Sequence, residues 1–198
     1  MKISKSVNSI KIVLVALVLT AIVGVTTTFA ATYYHDYGFA KGKVYINYWK
    51  DSSVASFGYT SYSNTGINNW KNITGNLNIT EVKSAPTYFG IVTYVGNSIP
   101  GLDVYGVVDH FKYGLTGFKQ VNPDDQRDRS RVRMDHTNLK SMKNNAEKQY
   151  AFTHEFGHAV GLKHNNSGVA SVMSETIIST RNTPQTADKD NIKSKYRN

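Results

Sequence analysis

The 198-residue chain contains no cysteine, so it can form no disulfide and carries no thiol for a lipid anchor. It also lacks an apolar run long enough to cross a bilayer. The longest, Ile12 to Val25, falls short of the ~20 residues a spanning helix requires. No G-x-S-x-G stretch occurs, which removes support for Ser/His/Asp catalysis. No Lys/Arg-rich run interleaves with aromatics, which speaks against nucleic-acid binding. Internal repeats and low-complexity segments are absent too, so the chain reads as one ordinary domain.

The apolar run instead belongs to a secretory signal. Lys2, Lys5 and Lys11 precede it, and Thr28-Phe29-Ala30 supplies a small-residue cleavage site. Residues 1–30 are therefore read as a signal peptide and 31–198 as the mature domain, with no membrane association after cleavage. That segment holds three lysines and no acids, so the net charge falls from +9 to +6 on its removal. Such mild basicity suits anionic cell-wall polymers or acidic proteins, and a solvated basic surface explains it equally well. Export without disulfides points to a bacterial source.

Behind the signal lies a short lead-in, Ala31 to Gly42. Strands are expected at Val44–Trp49, Leu77–Val82, Phe89–Val95, Val104–Phe111 and Arg131–Asp135, with a helix at Ser61–Asn72. Asn122 to Ser130 reads as a charged loop. A second helix is expected from Asn145 to Leu162, capped by Asn144 with Glu147 three residues on. Phe152, Phe156, Ala159 and Val160 form its apolar stripe.

The opposite side of that helix carries the chemistry, in the pattern H-E-x-x-H-x-x-G-x-x-H from His154 to His164. At 100° per residue, His154 and His158 stand ~40° apart, one turn above each other, so both imidazoles can reach one ion. Glu155 projects beside them, placed to act on water without ligating. Gly161 can adopt the left-handed conformation that ends a helix, letting the chain return His164 as a third ligand. Five residues fixed at ~5% frequency each arise by chance about 10⁻⁴ times in a chain of this length. Three imidazoles leave one position open on zinc, as catalytic rather than closed structural sites do.

These residues resemble the metzincin zinc endopeptidases, and within that clan the matrixins in a compact bacterial form. Ser171-Val172-Met173-Ser174 matches the clan's methionine turn, where Met173 would form an apolar floor under the ligands. Thr183-Pro184 and Ala187 to Tyr196 resemble the C-terminal helix and its lead-in. The resemblance implies an α/β (α+β) zincin-like fold: a twisted five-stranded mixed sheet, two long helices and a C-terminal helix. It implies one catalytic zinc on His154, His158 and His164, with Glu155 as general base for hydrolysis of peptide bonds. It also implies a protein or peptide substrate lying antiparallel along the fourth strand, on an edge formed by Val104, Tyr105, Gly106, Val107 and Val108. A monomer is expected.

Two departures accompany the match. Matrixins carry a Pro and a Tyr after the methionine, where this chain has Ser174-Glu175-Thr176-Ile177. They also commonly use a propeptide cysteine to block the zinc, and this chain has none, so activity directly on signal removal is expected, with the lead-in dispensable. His35 or Asp36 folding back onto the metal is the alternative. His110 with Asp109, and His136 with Asp135, could be remnants of a structural zinc site, although hydrogen-bonded histidines explain them better. Asp124, Asp125 and Asp128 could hold calcium, which stays unassigned because the loop lacks a known ligand pattern. A rival reading is a binding module that has kept the fold, but such a protein would usually have lost Glu155 or a ligand. A third is a zinc hydrolase acting on something other than peptides.

Overall fold

The computed structural model describes residues 32–40, 42–175 and 181–197. The expected signal peptide and Thr176-Ile177 lie outside them. The fold is mixed α/β, built on a six-stranded sheet ordered β2-β1-β3-β6-β4-β5. Its strands are β1 Val44–Lys50, β2 Leu77–Glu81, β3 Gly90–Gly96, β4 Gly106–Gly114, β5 Gly117–Val121 and β6 Arg129–Asp135. The first four in the sheet run parallel. β4 is antiparallel to β6, and β5 is antiparallel to β4.

One strand more is present than the five expected. The fourth strand runs past Phe111 and turns at Leu115-Thr116 into β5, so the segment before Asn122 pairs rather than connects. Gly117 sits at φ 99°, a conformation that glycine adopts without strain at a tight turn. The last strand also starts two residues earlier than expected, taking Arg129 and Ser130 from the loop.

The helix expected at Ser61–Asn72 is α2, which spans Thr60–Asn68 and ends four residues early, and an unexpected short helix, α1 Ser52–Ser56, precedes it. Gly58 at φ 80° separates them. A short α3, His136–Ser141, follows β6 and is capped by Asp135, whose side chain accepts from Asn138 N. The metal-motif helix, α4, spans Asn145–Ala159 and begins as expected, with the Asn144 side chain accepting from Glu147 N. The C-terminal helix α5 covers Thr186–Lys195.

One face of the sheet packs against α2 and α4. Val44, Ile46 and Tyr48 of β1 alternate inward with exposed Tyr45 and Asn47, the period-2 pattern of a strand with one covered face. Phe152, Phe156, Ala159 and Val160 are fully buried, so the apolar stripe of α4 is its core face. Each Phe contributes roughly 1.5–3 kcal/mol by leaving water. Phe156 meets Tyr48 edge to face at 5.5 Å. α2 comes close because Gly66 has no side chain: a Cβ there would lie 3.0 Å from the Phe156 ring. This packing turns the opposite side of α4 toward β4, and a cleft of about 760 Å³ opens between them.

Candidate metal centre

His154 and His158 share a face of α4 by helix geometry, and the turn after Ala159 delivers the third ring. Gly161 takes φ 100°, and Leu162 N closes back on Gly157 O at 2.9 Å. His164 then leaves the helix axis and returns toward the other two. The three Nε2 atoms lie 3.0, 3.0 and 3.3 Å apart. Three nitrogens each ~2.0–2.1 Å from one tetrahedral zinc would stand about 3.3 Å from one another. Among the described residues this is the one cluster of His, Cys, Asp or Glu with metal-ligand spacing.

The remaining ring nitrogens explain why the Nε2 atoms converge. His154 Nδ1 pairs with Val172 O at 2.8 Å, and His158 Nδ1 with Leu162 O at 2.9 Å. A carbonyl can only accept, so Nδ1 carries the hydrogen in both rings and Nε2 presents its lone pair. Lone pairs this close repel unless a cation lies between them, so the donor set fits a metal. Burial supports the same state. It holds His154 down to about 4 and His158 well below its usual value, so both rings are neutral near pH 7.

Glu155 is buried beside the three imidazoles, and burial pushes its carboxyl up to about 8. No described residue forms a hydrogen bond to that carboxylate. Packing positions it instead. A Cβ on Gly106 of β4 would fall 2.6 Å from Glu155 Cγ and 2.8 Å from Met134 Sδ. Gly106 has no unusual backbone conformation, so the glycine is there for space.

Met173 is buried beneath the helix. A Cβ on Gly157 would run into its sulfur and lie 2.8 Å from Trp70 Cζ2. The Ser171–Ser174 turn is fastened from α5: the buried Asp188 accepts from Ser171 Oγ and, at 2.9 Å, from Val172 N. Asp188 thereby fixes Val172, whose carbonyl orients His154. Sequence reading missed Asp188, since neither its type nor its spacing points to a residue 16 positions away.

The lead-in, expected to be dispensable, is fastened at several points. Tyr34 bridges Leu162, His35 N donates to Gly161 O at 2.9 Å, and Lys163 N donates to Tyr33 O at 2.8 Å. The buried Lys195 of α5 donates to His35 O and Tyr37 O, both at 2.6 Å. Arg127, also buried, lies against Gly38 and donates to the carbonyls of His158 and Ala159 at 3.4 Å. A guanidinium there caps the negative end of the helix dipole. Phe39 is in the core. The lead-in is therefore a strap across the end of α4. His35 lines the cleft, but its Nδ1 pairs with Asp124 at 2.9 Å; it does not join the ligands.

The other candidates disperse. Asp124 contacts His35 and Lys163, Asp125 accepts from Asn122 N within its own turn, and Asp128 holds Lys112 and Tyr113 N. These partners leave no shared calcium cage. His110 pairs with Ser130, while Asp109 is clasped by Arg131 and Arg133. His136 pairs with Tyr59 OH, and Asp135 accepts from Ile99 N as well as capping α3. No second zinc site forms from them.

Val104, Tyr105, Gly106, Val107 and Val108 all line the cleft, together with Met142, Tyr150 and Ala151 on the facing wall. Val104 and Tyr105 precede β4, which begins at Gly106. Tyr150 OH donates to Ser174 O at 2.6 Å, closing that wall beside the methionine turn.

No protein-family model matches the chain, and no curated protein matches it. Among solved structures it is similar to high choriolytic enzyme 1, a hatching-enzyme zinc protease from the medaka fish Oryzias latipes. The two share 14% identity with a TM-score of 0.41, over 80% of this chain and 93% of that one. A likeness at that level carries no argument about activity.

Proposed function

We propose that the chain is a secreted zinc-dependent endopeptidase of the metzincin type and matrixin-like build. The observation that carries this reading is the convergence of three Nε2 lone pairs at 3.0–3.3 Å in a cleft that Glu155 also lines. His154, His158 and His164 would hold the ion. When bound, zinc supplies Lewis acidity that acidifies water and polarises the scissile carbonyl.

The chain's own residues do the rest. Glu155, carried by the same helix as two of the ligands and held ionised once a bound cation offsets the burial that raises it, takes the attacking water's proton on a carboxylate oxygen. It then returns the proton to the departing amine nitrogen. Val104 to Val108 would offer backbone N–H and C=O groups to an extended substrate strand. Met173 supports the ligands from below, and Asp188 with Val172 O keeps His154 in its ligating tautomer.

Export follows from the signal at residues 1–30 and leaves the 31–198 domain as the working enzyme, acting as a monomer. Association with anionic wall polymers is compatible with its positive charge. Among the described residues no helix is long and apolar enough to cross a membrane. The test is digestion of an unfolded protein mixture at neutral pH by the 31–198 chain, with and without chelator. Chelator-sensitive release of new amino termini is expected. Chelator-sensitive hydrolysis confined to esters or amidated sugars would transfer the site to another substrate class.

A further inference from the structure

β4 is paired unequally on its two sides. Along one side β6 accompanies it from Gly106 to Phe111, whereas along the other β5 accompanies it only from His110 to Gly114. Gly106 to Asp109 are left without a strand partner on that second side, among the described residues. One end of this open edge is the reacting end, since Gly106 lies directly against Glu155. The other end is closed by the His110–Val121 pair.

A peptide lying antiparallel to β4 would have the same direction as β5 and would lie end to end with it. Its residues upstream of the scissile bond would point toward Val121, where the chain turns through Asn122 and Pro123. Pro123 lines the cleft, and the turn is braced rather than free. Asn122 N donates to Asp125 Oδ2 at 2.9 Å, and Asp125 N to Asn122 O at 3.0 Å. Arg127 reaches Pro123 O at 3.3 Å, and Asp124 is gripped by His35 and Lys163. The upstream path along the sheet ends at this wall.

We propose that β5 and the Asn122-Pro123 turn limit the upstream side of the cleft to about three strand-paired substrate residues. The proposal rests on the peptidase reading and on an antiparallel substrate. Four residues of open edge at ~3.4 Å each give about 14 Å. Alternate residues of an antiparallel strand turn their N–H and C=O to the same side, so two of the four positions make the backbone hydrogen bonds and hold the residues between them in register. One position is taken opposite Gly106 at the scissile bond. Residues farther upstream leave the sheet and contribute no backbone pairing. The enzyme therefore reads a short upstream segment and tolerates any sequence beyond it, including none.

The test uses the zinc-loaded 31–198 chain and two nested sets of N-acetylated, C-amidated peptides around one scissile bond. One set lengthens the upstream side from one to six residues, and the other lengthens the downstream side. In the upstream set kcat/KM should rise by roughly two- to ten-fold per residue while backbone pairing is being added, then stay flat from the fourth residue on. Continued gains through the fifth and sixth upstream residues would overturn the proposal. So would a plateau confined to the downstream set, which would mean that the peptide runs parallel to β4. Cleavage of no peptide of any length would sink the peptidase reading, and this inference with it.

Discussion

Two segments meet at Gly161, and different physics holds each in place. The histidine-bearing half of α4 is organised locally: His154 and His158 share a face because a helix repeats every 3.6 residues. The strap from Tyr33 to Phe39 is organised from a distance. Its partners Asn191 and Lys195 lie 158 and 160 residues away in sequence. The first segment specifies what can bind. The second specifies how firmly the end of that helix, and with it the turn to His164, is held. A site can therefore be complete in its residues and still depend on a segment that touches no metal.

Breaking the local segment has the largest expected effect. His158→Ala removes one of three ligands and with it both zinc and hydrolysis, to be read by metal content and peptide cleavage together. Glu155→Gln should keep the zinc and lower kcat by ~10²–10⁴-fold. A variant within a few-fold of the wild type would remove Glu155 from the role of base.

Breaking the distant segment comes next. The cysteine-free sequence suggests that chains starting at Ala31 and at Lys43 should be equally active, and the strap reverses that expectation. Truncation to Lys43 deletes the Phe39 core side chain, worth about 3–5 kcal/mol, along with the ties to Gly161 and Lys195. A lower Tm and at least ten-fold lower kcat/KM are expected. Increased activity on truncation would show instead that the lead-in is inhibitory.

The comparison is sharpened by a change on β4, which belongs to neither segment. Gly106→Ala should displace Glu155 without disturbing the imidazoles. Zinc content should stay the same while kcat falls roughly ten-fold or more and KM changes little, and a crystal structure of the variant would show the displaced carboxylate. Loss of zinc in this variant would mean that β4 supports the ligands rather than the base.

The smallest effect is on stability against pH. His110 is buried, and burial pulls it down to about 2, so it stays neutral in the fold while an unfolded imidazole titrates near 6.5. The unfolded state binds the extra proton, so this contribution is complete above pH ~6.5 and is lost as pH falls below it. The slope reaches up to about 1.4 kcal/mol per pH unit between roughly pH 6 and 4. His110→Asn should flatten that part of a Tm-versus-pH curve, and an unchanged slope would exclude His110 as its source.

What could be read in advance follows the same division. The convergence of the three imidazoles, the place of Glu155 beside them, the Asn144 cap, the glycine exit at Gly161 and the place of Met173 under the helix depend on neighbours within one or two helical turns or at a family-typical spacing, and these placements were legible. The short helix α1 was not, because its five residues, Ser52 to Ser56, end before a helical period can show. β5 was hidden for another reason: Gly117-Phe118-Lys119-Gln120-Val121 alternates too weakly to signal a strand, and only its pairing with β4 makes it one. Arg127, Lys195 and Asp188 carry no signal in the sequence that sets them apart from other charged residues. Their burial against backbone carbonyls or, for Asp188, against the methionine turn is set by elements far away in sequence.

The central claim is that three converging imidazoles bind the metal that makes this chain a peptidase. One measurement tests it most directly: zinc content and peptide cleavage of the same 31–198 preparation, before chelation, after it and after zinc is restored. One zinc per chain, cleavage abolished on its removal and recovered on its return is the predicted result. Undiminished cleavage in excess chelator, or a folded chain that takes up no zinc, would contradict the account.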